Sequence, residues 1–191
     1  MNKNLELKKL EKEIIENKKL PLGRANLVFG EGSVNTKVLF IGEAPGKEED
    51  RLGRPFVGRS GKLLEKLISE LGWKREDVYI TNIVKRRPPD NRDPSPKEIE
   101  AYKPYLARQI KIINPLIIAT LGRFSMNYFL PEAKITKDEG KIFKVGGRFI
   151  YPLLHPAVAL RSPKIMGGAL RKSFLRLPAV IKKCKTVAKK R

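Results

Sequence analysis

The chain has 191 residues, of which 41% are hydrophobic and 32% are charged, so it can bury a core and is not disordered throughout. Its 41 lysines and arginines outnumber 20 aspartates and glutamates. The formal net charge of +21 predicts a polyanionic partner, with nucleic acid ahead of an acidic membrane surface. The single cysteine and single histidine exclude internal disulfides, cysteine-based metal sites and multi-histidine metal sites.

The N-terminal segment predicts a helix. Leu7, Leu10, Ile14 and Ile15 are expected on one side of a helix over residues 5–16, so residues 1–16 are assigned to an N-terminal helix. This segment is charged throughout, unlike a signal peptide, and no run in the chain approaches the roughly 18 apolar residues of a membrane span. We therefore expect a cytoplasmic protein without a membrane partner.

Strands and helices alternate from residue 38 onward. The continuous apolar run at residues 38–41 predicts a strand covered on both faces, and a Gly-rich loop at residues 42–46 follows it. Ser60 is suited to cap the next helix, which Gly72 closes at its C-terminal end. Residues 78–84 then predict a second strand.

The alternation continues in the second half. Residues 85–94 hold three prolines and four basic residues, which predicts an exposed loop. A capping box at residues 95–98 opens a helix that reaches Ile113, residues 116–121 predict a buried strand, and residues 141–151 predict a hairpin. This order predicts a single domain over residues 1–191, an α/β protein built as a three-layer α/β/α sandwich with a mostly parallel sheet.

Positive charge is concentrated towards the C-terminus. Residues 140–191 contain 14 lysines and arginines and no acidic residue, so 14 of the 21 net charges lie there. Leu170, Phe174, Leu177 and Ile181 interrupt this segment at helical spacing, which indicates that most of it packs. We expect only residues 182–191 to form a frayed basic tail.

Three loops that follow predicted strands begin with residues suited to ligand binding. Glu43, Asn82 and His155 occupy these positions, where ligand sites of open α/β sheets are assembled. The Asn82 amide suits the edge of a base or a buried backbone partner, and His155 suits either a developing anion or a structural role. Phe56, in a short loop, suits a stacking platform or the core.

Two further clusters carry charge. Ser60 and Lys62 stand at a predicted helix start that can hold a DNA phosphate, although an ordinary helix cap explains them equally well. Four carboxylates in a basic protein suggest action on a cation, which is either Mg²⁺ in a nuclease or the positive sugar of a glycosidic transition state: Glu43, Glu48, Glu49 and Asp50.

Together, four segments resemble the motifs of family 4 uracil-DNA glycosylases. They read GEAPGKEED at residues 42–50, RPFVG at 54–58, TNIVK at 81–85 and HPA at 155–157, within a resemblance that covers residues 17–180. The resemblance implies an α/β/α sandwich that flips deoxyuridine from DNA and hydrolyses its N-glycosidic bond without metal at the reacting centre.

The resemblance also implies a role for each motif residue. Phe56 would stack on uracil, Asn82 would read its edge and His155 would hydrogen-bond its O2 atom. Glu43 would position or activate water, with Asp50 in support. Because thymine differs from uracil only by its 5-methyl group, its exclusion must come from bulk either in the loop at residues 43–46, which contains Ala44, or at Phe56.

The expected DNA-binding face lies along the loop at residues 85–92 and the segment from residue 161 onward. The loop after the histidine motif is expected to enter the helix where the base leaves. The side chains assigned to DNA are Ser60, Lys62, Lys85, Arg86, Arg87, Leu160, Arg161 and Lys164.

The chain departs from the family at the cysteines that hold its iron–sulfur cluster. The matching positions are Asn17, Leu20, Arg86 and Tyr102, so we expect no cluster. We expect Leu20 and Tyr102 to replace it by apolar contact, with Arg86 facing solvent or DNA. The histidine of a related DNA-trapping branch is also missing from the loop after Lys85, and no lysine is suitably placed for a Schiff base.

These observations predict a monomeric, monofunctional uracil-DNA glycosylase of base-excision repair, with uracil-containing DNA as its partner and no metal or cofactor. Two other classes stay open: a non-catalytic nucleic-acid-binding protein on the same fold, and a Mg²⁺-dependent nuclease. Recruitment by a sliding clamp has no support, since neither end carries a convincing clamp-binding peptide.

Overall fold

The computed structural model describes residues 2–189. Its sheet contains β1 (Glu31–Gly32), β2 (Val38–Gly42), β3 (Tyr79–Asn82), β4 (Ile117–Leu121), β5 (Phe143–Val145) and β6 (Arg148–Leu153). The described α-helices are α1 (Lys3–Glu16), α2 (Lys47–Leu52), α3 (Arg59–Glu70), α4 (Pro96–Ile113), α5 (Arg123–Phe129), α6 (Ile135–Asp138), α7 (Pro156–Arg161), α8 (Gly168–Leu175) and α9 (Leu177–Lys189). None of these helices is long and apolar enough to cross a membrane.

The strands lie in the order β1-β3-β2-β4-β6-β5. The four central strands run parallel, whereas β1 and β5 pair antiparallel at the two edges. The register pairs Gly42 with Asn82 and Leu121 with Leu153. The ends of parallel strands share one edge of the sheet, so the loops after β2, β3 and β6 meet there.

Helices cover both faces of the sheet, because successive strand residues point to opposite sides. One core joins the sheet to α3, α8 and α9, and its buried members include Phe40, Leu64, Ile80, Phe174 and Val180. The other joins the sheet to α1 and α4, and its buried members include Leu10, Leu39, Tyr79, Leu106 and Ile118. The expectation that Ile15 shares the apolar side of α1 is wrong, because Ile15 is 48% exposed. The predicted α/β/α sandwich with a mostly parallel sheet is confirmed.

Helix starts follow the sequence at α4 but not at α3. Ser95 and Glu98 form the predicted capping box of α4, with the Ser95 side chain accepting from the Glu98 amide. The predicted Ser60 cap is wrong, because α3 begins at Arg59 with Gly58 as its N-cap residue. The carboxylate of Glu49 takes the Gly58 amide at 2.7 Å, so a distant side chain performs the capping.

The basic end is more ordered than the sequence predicts. Helix α9 continues to Lys189, and Cys184 is buried in the same core as Val180. The prediction of a frayed tail from residue 182 is therefore wrong through residue 189, because one apolar stripe of this helix packs against the domain. Residues 190 and 191 lie outside the described residues.

Candidate active site

The sheet brings the residues after β2, β3 and β6 together. Beyond the register pair of Gly42 and Asn82, the Ile83 amide donates to the Gly42 carbonyl and the Val84 amide to the Glu43 carbonyl, both at 3.0 Å. This backbone pairing fixes Glu43 beside the end of β3. His155 follows β6 by two residues and is the N-cap residue of α7.

A cavity of about 460 Å³ opens at this edge of the sheet. It contains five of the six residues assigned to catalysis or base binding, which are Glu43, Ala44, Phe56, Asn82 and His155. The remaining lining residues are Gly46, Lys47, Glu48, Glu49, Gly58, Arg59, Ser60, Asn91 and Ala157. Its size suits a single planar base with part of its sugar.

The Asn82 amide lies at the floor of the cavity. Its Oδ1 atom is buried and has no hydrogen-bond partner in the described part of the chain. A Cβ atom at residue 42 would lie 2.4 Å from this oxygen and 2.5 Å from Phe56 Cζ, so only glycine fits between them. A buried carbonyl without a donor is costly, and an N–H group of a bound ligand would satisfy it.

The imidazole of His155 is neutral. Its Nδ1 atom accepts a hydrogen bond of 3.1 Å from the Ala157 amide, so the proton of the neutral ring is on Nε2. The pKa of His155 is lowered to about 4, mainly by burial and also by the positive charge of Arg161, while the negative charge of Glu49 opposes both. The side chain is therefore a donor through Nε2 at neutral pH, without a positive charge.

Glu43 has an unusually basic carboxylate. Its pKa is raised to about 7, mainly by burial and also by the negative charge of Asp93, while the positive charge of Arg123 lowers it. Asp93 and Arg123 are themselves an exposed ion pair at 2.8 Å. A carboxylate with such a pKa can exchange a proton with water near neutral pH.

Phe56 forms one wall of the cavity. Its backbone is in the left-handed region with φ of 51°, which is rare for a bulky residue. Its ring centroid lies 5.9 Å from that of His155, with 37° between the two planes. The ring is buried among protein atoms and still reaches the cavity, so Phe56 belongs both to the core and to the site.

Glu49 joins the two loops of the site, a role that the sequence analysis missed. Its Oε1 atom accepts from the amides of Val57 and Gly58 at 2.9 and 2.7 Å, and its Oε2 atom accepts from the Gly46 amide at 3.2 Å. One carboxylate thus ties the loop of Glu43 to the loop of Phe56. It also occupies the anion position at the start of α3, where the sequence suggested a DNA phosphate near Ser60.

Asn91 is a second residue that the sequence analysis missed. It lines the cavity from the loop after β3 and has a left-handed backbone with φ of 54°. Its side-chain oxygen accepts from Arg87 Nε at 2.7 Å, so it also orients one of the expected DNA-binding arginines. One feature of the sequence could have indicated this role: an asparagine next to an arginine, at residues 91 and 92, in the proline-rich loop after the TNIVK motif.

The supporting role predicted for Asp50 has no geometric basis. Asp50 lies outside the cavity, on a separate cleft with Arg24 and Arg87. Its Oδ1 atom accepts from the Asn26 amide at 2.7 Å, and its carbonyl accepts from the Asn26 side chain at 2.9 Å. Asp50 therefore anchors the segment before β1, and it lines a different cavity from Glu43.

Lys85 cannot contact DNA, because its side chain is 0% exposed. Its Nζ atom lies 2.6 Å from Thr81 Oγ1, 2.9 Å from the Asn82 carbonyl and 2.6 Å from Gln109 Oε1. Burial holds the pKa of Lys85 well below its usual value. The lysine fixes the end of β3 behind Asn82, so the predicted phosphate contact is wrong.

The four positions expected to replace a metal cluster tie the segment after α1 to the domain. The Asn17 side chain donates to Tyr105 Oη at 2.8 Å, Tyr102 Oη donates to the Pro21 carbonyl at 2.8 Å, and Leu20 is buried. Arg86 Nη1 donates to the Ala25 carbonyl at 2.7 Å and more weakly to that of Gly23. Half-buried Arg86 therefore binds this segment, which corrects the expectation that it faces solvent or DNA. Leu20 and Tyr102 are buried in one apolar core, as expected, and the polar contacts of Asn17, Tyr102 and Arg86 add to that packing.

These side chains do not fit an iron–sulfur cluster, because none of them is a thiolate. The carboxylates near the cavity also diverge: Glu48 pairs with Arg51, Glu49 binds amides and Asp50 binds Asn26. Among residues 2–189, no group of three or more histidine, cysteine, aspartate or glutamate side chains could hold a metal ion. Each of these three carboxylates thus has partners of its own, which does not favour the shared ligand set of the nuclease alternative.

The remaining DNA-binding candidates differ in exposure. Lys62, Arg161 and Lys164 are exposed, whereas Arg87 and Leu160 are half-buried. Ile165, in the π-helical turn Pro163–Gly167, is 74% exposed and is the most exposed of the large apolar side chains described. The apolar side chain that projects from the segment after His155 is therefore Ile165 and not Leu160.

Comparison with known proteins shows which family this chain resembles. The family model described as the uracil DNA glycosylase superfamily matches residues 29–177. A type-4 uracil-DNA glycosylase of Thermotoga maritima is 49% identical over 146 residues, which are 75% of this chain and 76% of the relative. The type-4 enzyme of Sulfurisphaera tokodaii is 48% identical over 171 residues, 83% of this chain and 78% of the relative.

A third type-4 enzyme, from Saccharolobus solfataricus, is 50% identical over 154 residues, 74% of this chain and 70% of the relative. The chain therefore belongs to the uracil-DNA glycosylase superfamily. Within that superfamily, these relatives group it with the type-4 family.

Proposed function

We propose that this protein is a monofunctional uracil-DNA glycosylase that releases uracil from DNA and leaves an abasic site. The observation that carries the proposal is the meeting of Glu43, Phe56, Asn82 and a neutral His155 in one cavity of about 460 Å³. Those four side chains supply a planar wall, a base-reading amide, an uncharged donor and a carboxylate, which are the groups that cleavage of a nucleosidic bond requires.

Base recognition uses the closed end of the cavity. A uracil ring turned out of the duplex stacks on Phe56, and its N3–H group donates to the buried Asn82 Oδ1 atom. The Asn82 amide nitrogen donates to O4. Cytosine places an N3 acceptor opposite the Asn82 Oδ1 acceptor and an amino donor opposite the Asn82 amide donor. Neither hydrogen bond can then form. Ala44 and the edge of Phe56 are the bulk that opposes the 5-methyl group of thymine.

Bond cleavage leaves a negative charge on uracil and a positive charge on the sugar, and the site has one group that stabilises each. As the C1′–N1 bond breaks, uracil becomes anionic, and His155 Nε2–H donates to its O2 atom from an imidazole that stays neutral. The Glu43 carboxylate stabilises the cationic sugar and orients the water that attacks C1′, accepting its proton. Both contributions are larger in the transition state than in the ground state.

We also propose that this protein holds no iron–sulfur cluster. The support for this proposal is the donor set of Asn17, Leu20, Arg86 and Tyr102, together with contacts that already join residues 17–25 to the domain. Iron and sulfide analysis of freshly purified protein tests it. We also propose a cytoplasmic monomer, for which sedimentation tests the oligomeric state, and we assign no role to a sliding clamp.

One assay tests the activity. The protein is incubated with an oligonucleotide that contains one uracil, with EDTA present, and the product is then treated with alkali. Cleavage only after alkali supports a monofunctional glycosylase. Direct nicking that EDTA abolishes would establish the nuclease, and tight binding without any cleavage would establish the non-catalytic binding protein.

Three substitutions test the assigned roles. Glu43→Gln and His155→Ala should each lower the single-turnover rate by about a hundredfold or more, while uracil-containing DNA still binds. Asn82→Asp should reduce the discrimination against cytosine. A rate for Glu43→Gln that equals the wild-type rate would remove Glu43 from the mechanism.

A further inference from the structure

Phe56 adopts a conformation that its own sequence does not favour. A left-handed backbone at a bulky residue costs free energy and persists only where surrounding contacts impose it. The backbone amides of the next two residues, Val57 and Gly58, donate to the Glu49 carboxylate. Its carbonyl lies against α3, where a Cβ atom at residue 61 would come within 1.9 Å of it.

Two backbone carbonyls of the same loop are held by Arg75, which lies in the 3₁₀ turn Arg75–Asp77 before β3. Arg75 Nη1 donates to the Phe56 carbonyl at 3.2 Å, and Nη2 donates to the Pro55 carbonyl. Its Nε atom donates to Glu31 Oε1 at 2.6 Å, so the guanidinium is itself held by the edge strand β1. The side chain is 12% exposed.

We propose that Arg75 is a positioning residue that keeps the Phe56 ring in place as the wall of the base pocket. The planar guanidinium reaches two successive carbonyls and one carboxylate at once, which a lysine cannot do. The inference rests on the proposed function, because it assumes that Phe56 stacks on the base.

Arg54 provides a matched control. It binds the same carboxylate, with Nε at 2.7 Å from Glu31 Oε2, but its side chain is 58% exposed and contacts neither carbonyl. Arg54→Met therefore removes an arginine and an ion pair with Glu31 without releasing the carbonyls of Pro55 and Phe56.

The test measures single-turnover rates and the DNA concentration for half-maximal rate, well below the melting temperature. Arg75→Lys should lower the rate about tenfold to a hundredfold, as a misplaced reactant does, and Arg75→Met at least as much. Arg54→Met should change the rate less than about threefold. Emission of Trp73, the single tryptophan, reports whether the turn before β3 remains folded.

A double-mutant cycle separates positioning from general stability. If Arg75 acts through the ring, Arg75→Lys should cost little further rate once Phe56→Leu has removed the stacking surface. Equal rates for Arg75→Lys and Arg54→Met, or an undiminished effect of Arg75→Lys in the Phe56→Leu background, would overturn the proposal. A wild-type protein that does not cleave uracil-containing DNA would instead overturn the proposed function.

Discussion

At the residue scale, the site depends on two ionisable groups whose burial moves their pKa values in opposite directions. Burial favours the uncharged form of each: His155 stays neutral down to a pKa of about 4, and Glu43 stays protonated up to a pKa of about 7. Of these two groups, only Glu43 therefore changes its charge near neutral pH. Its ionised form is the one that the proposed mechanism uses.

The pH dependence of the chemical step should show this single ionisation. We expect the single-turnover rate to rise between pH 5 and 8 with a midpoint near 7 and then to level off, because ionised Glu43 stabilises the sugar cation. The residual rate of Glu43→Gln should not depend on pH in this range. A wild-type rate that falls above pH 6 would contradict the assignment.

The same burial predicts a pH-dependent cost in stability. The folded-state pKa of Glu43 exceeds the unfolded value, so the folded protein loses stability as pH rises through the folded pKa of about 7. Glu43→Gln should therefore melt at the wild-type temperature at pH 4.5 and higher than wild type at pH 8, by about 2 to 4 °C for each kcal/mol of relieved desolvation. Calorimetry at both pH values measures this, and a variant that is less stable at pH 8 would contradict it.

At the scale of elements, the segment between α1 and β1 is joined to the domain by polar contacts. Arg86→Met should detach residues 17–25, because the carbonyls of Gly23 and Ala25 lose a charged donor worth about 1.5–3 kcal/mol. Melting temperature and trypsin cleavage of this segment measure the effect. Arg87→Met is the control, since Arg87 bonds Asn91 in its own loop. Equal sensitivity of the two variants would show that the anchor lies elsewhere.

The turn that follows α7 presents the apolar side chain best placed to enter DNA. Ile165 is 74% exposed and stands next to Lys164, whereas Leu160 is half-buried. A wedge is needed most where the base pair is strongest, so Ile165→Ala should slow cleavage of a U:A pair more than of U:G or single-stranded DNA. Leu160→Ala should instead lower the melting temperature. The reverse pattern would assign the wedge to Leu160, as the sequence predicted.

At the scale of the whole molecule, the net charge of +21 predicts binding that weakens steeply with salt. Neutralising exposed Arg161 and Lys164 to glutamine should lower the slope of log affinity against log salt by about 0.9 for each lost phosphate contact. Lys37 and Lys111 lie near the opposite edge of the sheet, before β2 and at the end of α4, and give the control pair. An equal change for both pairs would show that the charge acts without a defined binding face.

The sequence by itself determined the layered fold and the composition of the site. Continuous apolar runs predict buried parallel strands, and parallel strands deliver their C-terminal residues to one edge, so Glu43, Asn82 and His155 were expected to meet. These are consequences of local pattern and of one topological rule. The capping box of α4 and the hairpin of β5 and β6 could also be predicted, because each depends only on residues close together in the chain.

Only the tertiary structure decided where the long charged side chains point. Lys85 turns inward to Gln109, Arg86 reaches back to Ala25, Asp50 binds Asn26, and Arg75 holds the loop of Phe56. Each partner lies between 19 and 61 residues away in the chain, so no local pattern contains it. A buried polar group takes whatever partner the packed fold provides, because leaving it without one costs more than any local preference.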